Sequence, residues 1–100
     1  MRYLHTMVRV TDIDASLNFY CNLLGLKEMR RIDRPEHKYS LVFVAAEKTP
    51  DAEIELTYNH DPEEYMGGRN FGHLAFRADN IYESCQKLID GNVTINRPPR

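Results

Sequence analysis

Apolar and polar side chains alternate at the start of the chain, which predicts a β-strand from Tyr3 to Val10. Neighbouring side chains of a strand point to opposite faces, so one face is more apolar and the other carries His5, Met7 and Arg9. The apolar spacing then changes to i, i+3, i+4 and i+7, which predicts a helix. The apolar positions of this helix are Leu17, Tyr20, Cys21 and Leu24.

The predicted helix has recognisable ends, and three strands follow it. Asp12 or Asp14 can accept hydrogen bonds from its first backbone amides. Gly25 comes directly after its last apolar residue, where a glycine commonly ends a helix. The predicted strands cover Leu26 to Asp33, Tyr39 to Ala46 and Glu53 to Asn59. The predicted order is therefore βαβββ, with Glu55 and Asn59 on one face of the last strand.

The second part of the chain repeats the first part weakly. A shift of about 68 residues aligns His5 with His73 and Arg9 with Arg77. The same shift aligns predicted elements of the same type. They are a strand over 71–78, a helix over 81–89 and the start of another strand over 93–95.

The repeat predicts one domain built from two related modules. The first βαβββ module covers residues 1–60, a glycine-containing linker covers 61–70, and a second module begins at 71–100. We expect the second module to lack two strands, since only about half of a module follows the linker. The counterpart of Glu55 would lie at about position 123, beyond the last residue.

Composition restricts the class of protein. The chain has 100 residues, of which 42% are hydrophobic and 28% are charged, as in an ordinary globular domain. Its net charge of −2 gives no field that would attract nucleic acid or an anionic membrane surface. No apolar run is long enough to span a membrane, and the N-terminus has no secretory signal pattern. Cys21 and Cys85 are expected to be reduced thiols, and the chain to be cytoplasmic.

Three residues are candidates for a metal site. His5 and Glu55 lie on predicted strands, and His73 repeats the position of His5 in the second module. Neutral imidazole and carboxylate are ordinary ligands of first-row divalent metals. Taken singly, a strand histidine is more often a core or surface residue, and a strand glutamate is more often solvated. The pattern alone therefore leaves both a metal site and a structural role open.

Three further side chains could bind an anionic or peptide-like ligand. Arg9 shares a face with His5, Asn59 shares a face with Glu55, and Arg69 follows a pair of glycines. An arginine can hold a carboxylate through two parallel hydrogen bonds. The alternatives are an exposed arginine at a strand end for Arg9 and a turn residue for Asn59.

Three groups of segments resemble the sequence motifs of glyoxalase I, of the vicinal-oxygen-chelate superfamily. They are LHTMVRV at 4–10 with SLNFY at 16–20, KYSL at 38–41 with IELTYN at 54–59, and GRNFGHLA at 68–75. The groups occur in the order and spacing of that family and together extend over nearly the whole chain. The resemblance is to the short bacterial forms of the family.

The resemblance implies a fold and a set of site residues. The fold is α+β, with paired βαβββ modules (the glyoxalase/bleomycin-resistance/dioxygenase fold) and an incomplete second module. The implied metal ligands are His5, Glu55 and His73, and Glu55 is also the candidate catalytic base. The positions that resemble substrate-binding residues are Arg9, Asn59, Arg69 and His73. The family's fourth ligand, a later glutamate that serves as its base, has no counterpart in this sequence.

The resemblance also implies an activity. The family isomerises the hemithioacetal of methylglyoxal and glutathione to S-lactoylglutathione, by metal-assisted proton transfer through an enediolate. The short loops at 34–38 and 49–53 resemble those of forms that use nickel or cobalt in preference to zinc, so one nickel ion per site is expected. A homodimer with shared active sites is implied as well. Two alternatives stay open: a truncated, non-catalytic metal- or ligand-binding member of the fold, and another vicinal-oxygen-chelate enzyme.

Overall fold

The computed structural model of the protein describes residues 1–61 and 63–100. The internal contacts divide the chain into two units, Met1–Met66 and Gly67–Arg100. The boundary between these units falls within the predicted linker, of which Pro62 lies outside the described residues. Among the described residues, no helix is both long and apolar enough to cross a membrane.

Four strands form one mixed sheet in the first unit. They are β1 (His5–Val10), β2 (Lys27–Arg34), β3 (Tyr39–Ala45) and β4 (Glu53–Asn59). The spatial order is β1-β4-β3-β2, in which β2, β3 and β4 are antiparallel neighbours and β1 pairs with β4 in parallel. The βαβββ order predicted from the sequence is confirmed, with each strand boundary within about two residues of its predicted place.

A helical crossover connects β1 to β2. Helix α1 (Ile13–Leu17) begins at Asp12, whose side chain accepts a hydrogen bond from the Ala15 amide at 3.0 Å. The chain continues as a π-helical segment, Asn18–Leu23. Gly25 follows with a φ of 83°, a conformation that glycine adopts without strain. Of the two predicted caps, Asp12 and Asp14, the structure selects Asp12, and the predicted end at Gly25 is confirmed. The apolar spacing could not distinguish α from π winding.

The core of the first unit lies on the two central strands, β3 and β4. The buried apolar residues of these two strands are Val42, Phe43, Val44, Ala45, Ile54 and Leu56, and Leu26, just before β2, is buried as well. Leu56, Val42 and Val44 are fully buried. In β4 these buried side chains alternate with Glu55 and Thr57, which are only half-buried and face the other side of the sheet. The core therefore anchors the backbone that presents Glu55.

A bulge in β2 changes which side chains meet on the sheet. Glu28 is paired with Val44, but the next paired residue is Arg30, opposite Phe43, so that Met29 is the extra residue. One extra residue reverses the face on which every later side chain of a strand lies. The bulge thereby places Arg30 on the same face as Phe43.

The second unit contains one helix, α2 (Ile81–Asp90). Asn80 caps it, since its Oδ1 accepts hydrogen bonds from the amides of Tyr82 and Glu83 at 3.0 and 3.2 Å. The helix predicted over 81–89 is therefore confirmed, with one additional residue at its end.

The predicted strands of the second unit are wrong for this chain. Residues 71–78 and 93–95 are not in a strand. Alternation of apolar side chains indicates which face a strand would bury, but a strand also requires a hydrogen-bonded neighbour. The described residues of the second unit form no strand, so segment 71–78 has no strand to pair with inside its own unit.

We expect Leu56→Ala to lower the free energy of unfolding by about 2–5 kcal/mol, because the substitution leaves a cavity in the middle of the sheet. Urea denaturation followed by circular dichroism would measure this change. Met29→Ala is the control, since Met29 is 44% exposed and its truncation should change the stability by about 0.5 kcal/mol or less. Equal effects of the two variants would contradict the position of the core.

Candidate metal and substrate site

His5 and Glu55 come together on one face of the sheet. Their strands are parallel neighbours, and the register pairs His5 with Glu53 and Met7 with Glu55. The imidazole therefore reaches its diagonal neighbour on β4. His5 Nε2 lies 3.4 Å from Glu55 Oε1, and the two side chains are 32% and 15% exposed. Two of the three metal ligands expected from the sequence are thus adjacent.

The ring of His5 is also in contact with an aromatic side chain. His5 and Phe43 form an edge-to-face pair, with centroids 5.5 Å apart and an angle of 81° between the planes. Such a pair favours one relative orientation of its two rings, so Phe43 restrains the plane of the His5 imidazole. Phe43 is almost completely buried, although Arg30, its paired residue on β2, is exposed to solvent.

Arg30 covers Phe43. Its guanidinium carbon lies 3.6 Å from the centroid of the Phe43 ring, and Nη2 lies 3.3 Å from Glu53 Oε1. A cation over an aromatic face is attracted by the ring quadrupole. Sequence analysis missed this stack, because Arg30 meets Phe43 only through the β2 bulge, which no local pattern predicts.

The carboxylate of Glu55 has a second partner within β4. Thr57 Oγ1 donates a hydrogen bond to Glu55 Oε2 at 2.9 Å, while Oε1 is the oxygen nearer to His5. Thr57 lies two residues further along the strand and so projects from the same face. Both carboxylate oxygens therefore have a defined neighbour.

The donor atoms of His5 and Glu55 fit a divalent metal ion. Two ligands held about 2.0–2.2 Å from one ion lie roughly 3.0–3.5 Å apart when they occupy neighbouring positions around it. The observed separation of 3.4 Å lies in that range. An imidazole nitrogen and a carboxylate oxygen are also the donor set that zinc, nickel and cobalt accept in proteins.

His73 and Arg69 belong to the second unit. Both side chains are exposed, and Arg69 lies in a turn that follows Gly68, whose φ is 66°. Across residues 1–61 and 63–100, the His, Cys, Asp and Glu side chains form no group of three or more suited to a metal. The structure therefore places the His5–Glu55 pair in the first unit and His73 in the second.

Arg9 and Asn59, the candidate substrate-binding residues of the first unit, lie on β1 and at the end of β4. Arg9 is exposed and is paired in register with Thr57. Asn59 Nδ2 donates a hydrogen bond to the hydroxyl of Tyr65 at 3.3 Å.

Asn59 also lines a cavity of about 150 Å³ together with Val10, Thr11, Tyr58, His60, Asp61, Glu63 and Tyr65. His60 is held there by Ser40 Oγ, 2.9 Å from its Nε2.

Both cysteines are free and half-buried. Burial raises the pKa of the Cys21 thiol, and the negative charge of Glu28 raises it further, whereas Lys27 lowers it. A raised pKa leaves less of the nucleophilic thiolate near neutral pH. Cys21 therefore lacks the lowered pKa that activates a nucleophilic thiol.

Comparison with known sequences places these residues in a family. A sequence profile described as "Glyoxalase/Bleomycin resistance protein/Dioxygenase superfamily" matches residues 2–100. The chain belongs to this superfamily. A lactoylglutathione lyase from Salmonella typhimurium is 47% identical to this chain over 102 residues, and the match covers 99% of this chain and 76% of the relative. One from Neisseria meningitidis is 45% identical and covers 99% and 74%.

Solved structures of the superfamily have the same fold. A trypanothione-dependent glyoxalase I from Leishmania major has a TM-score of 0.89 and 36% identity, and the match covers 100% of this chain and 73% of that one. Glyoxalase I from Zea mays has a TM-score of 0.90 and 33% identity over 98% of this chain, but only 35% of the maize chain. The resemblance to glyoxalase I and the expected fold class, with an incomplete second module, are confirmed.

We expect Arg30→Met to lower the free energy of unfolding by about 0.5–1 kcal/mol, because the apolar stem stays over Phe43 but the cation is lost. Urea denaturation would measure the change. Arg34→Met is the matched control on the same strand, since the Arg34 guanidinium donates to the Asp33 carbonyl instead. If both variants lose equal stability, the stack on Phe43 contributes nothing specific.

Proposed function

We propose that the protein is a lactoylglutathione lyase of the glyoxalase I type, acting on the hemithioacetal of methylglyoxal and glutathione. The observation that carries the proposal is the His5–Glu55 pair, two metal-ligating atoms 3.4 Å apart on adjacent strands. It occurs in a chain of which 99% matches relatives named lactoylglutathione lyase at 45–47% identity. The superfamily alone would leave the activity open, because one fold supports many reactions.

The proposed metal ligands are His5, Glu55 and His73, which would hold one divalent ion per site. When bound, the ion would act as a Lewis acid that stabilises negative charge on the substrate oxygens. We propose nickel as the native metal, with cobalt as a substitute and zinc as the least effective. Support for nickel comes from the short loops at 34–38 and 49–53, in which Pro35–His37 forms a single helical turn.

The substrate-binding residues in this proposal are Arg9, Asn59, Arg69 and His73. The guanidinium groups of Arg9 and Arg69 are exposed and suited to the carboxylates of glutathione. Asn59 has an amide that can donate to a carboxylate or peptide carbonyl, at the edge of the 150 Å³ cavity. These contacts would position the substrate and take no part in bond making.

Glu55 is the proposed catalytic base. Its carboxylate would accept the proton from the carbon that carries sulfur and hydroxyl, and return it to the neighbouring carbonyl carbon. The hydroxyl proton passes to the former ketone oxygen, so the product is the thioester with no net oxidation. Glu55 is 15% exposed, which limits exchange of the transferred proton with water.

We further propose a homodimer with shared sites, in which one chain supplies His5 and Glu55 and its partner supplies His73. Residues 71–100 would be the start of the second βαβββ module, after the linker at 61–70. The proposed location is the cytoplasm.

Metal removal tests the proposal directly. We expect chelation to abolish formation of the thioester from methylglyoxal and glutathione, because the negative charge that develops on the substrate oxygens is then unopposed. Added Ni²⁺ should restore turnover, and Zn²⁺ should restore much less. Thioester absorbance, followed with each metal in turn, is the measurement. Absence of turnover with every divalent ion would contradict the lyase assignment and favour a non-catalytic binding protein.

Glu55→Gln should lower kcat at saturating Ni²⁺ by about 10²–10⁴-fold, because an amide cannot accept the transferred proton. Glu53→Gln is the matched control, two residues earlier on the same face. The Glu53 carboxylate forms an ion pair with Arg30 and is not a proposed metal ligand, so its variant should keep kcat within a few-fold. Full turnover by Glu55→Gln would remove Glu55 from the mechanism.

A further inference from the structure

Thr57 makes a contact that no proposed role yet explains. Its Oγ1 donates a hydrogen bond to Glu55 Oε2 at 2.9 Å, within the same strand. The acceptor is a carboxylate, and hydrogen bonds to ionised acceptors are stronger and more directional than those between neutral groups. The bond is part-buried, so water competes with it less than at the surface.

The hydrogen bond decides how the Glu55 carboxylate is turned. The last torsion of a glutamate side chain is broad and roughly two-fold, so packing alone leaves its two oxygens interchangeable. Because Oε2 is bound by Thr57, Oε1 is the oxygen that faces His5 Nε2 at 3.4 Å. In this rotation one carboxylate oxygen contacts Thr57 and the other faces the imidazole of His5.

Thr57 itself is held in place. It lies in the middle of β4, paired in register with Arg9 on β1 and with Leu41 on β3. A β-branched side chain in a strand has few accessible χ1 rotamers. The hydroxyl is therefore presented to Glu55 from a rigid central strand, and not from a loop.

We infer that Thr57 is a positioning residue of the proposed metal site, and that its hydroxyl orients the Glu55 carboxylate for coordination beside His5. The inference rests on the proposed function, since it assigns Thr57 to the metal site named there. Groups that orient a ligand by hydrogen bonding commonly change metal affinity when they are removed, although they do not touch the metal.

The test uses three variants of the full chain. Thr57→Val removes the hydroxyl and retains the β-branched shape, and Thr57→Ser retains the hydroxyl. Thr6→Val is the control on β1, because Thr6 lies on the face opposite His5 and its hydroxyl contacts that of Tyr3. Ni²⁺ affinity of the metal-stripped proteins is measured by calorimetry in competition with a chelator. The visible spectrum of bound Co²⁺ and the thermal midpoint are recorded for each.

Thr57→Val is expected to bind Ni²⁺ about 10- to 100-fold more weakly than the wild type and to change the Co²⁺ spectrum. Thr57→Ser should restore most of the affinity, and Thr6→Val should leave the affinity and the Co²⁺ spectrum unchanged. The thermal midpoints of the two valine variants should be similar, which separates positioning from loss of folding.

Two results would overturn the inference, and they differ in what else they exclude. Wild-type affinity and spectrum in Thr57→Val would refute the positioning role and leave the proposed function intact. A wild-type protein that binds neither Ni²⁺ nor Co²⁺ would refute the proposed metal site together with the role of Thr57.

Discussion

The parallel pairing of β1 with β4 is the constraint on which the candidate site depends. These strands are far apart in the chain, yet their register pairs His5 with Glu53. Glu55 is then two residues further along β4, on the same face as His5. A slip by one residue would turn either side chain to the opposite face of the sheet. The backbone hydrogen bonds of this ladder therefore determine whether an imidazole and a carboxylate meet at 3.4 Å.

The core maintains that register. Ile54 and Leu56 are buried on one face of β4, with Leu56 fully enclosed, while Glu55 between them projects from the other face. Moving Glu55 along the sheet would expose both apolar neighbours to water, at a cost of about 1.5–3 kcal/mol for each side chain. The burial of Ile54 and Leu56 therefore keeps the half-buried Glu55 carboxylate in position, and the contacts of the carboxylate itself do not have to do so alone.

Contacts around the pair then restrict its side chains. Phe43 fixes the plane of the His5 ring, Arg30 covers Phe43, and Thr57 engages the far oxygen of Glu55. Sites of this kind are effective when the groups that bind or react are themselves oriented by their neighbours. The bulge at Met29 is one origin of this arrangement, since it turns Arg30 to the face of Phe43.

The sequence by itself determined most of the strands, both helices, and the candidacy of His5 and Glu55, because these follow from local alternation, caps and the motifs of glyoxalase I. Only the tertiary structure decided the strand register, the bulge in β2 and the stack of Arg30 on Phe43. It also decided that segment 71–78 forms no strand, although its side chains alternate as in one. The physical reason is the same in each case: a strand, its register and its neighbours depend on hydrogen bonds to distant segments, which a local pattern does not specify.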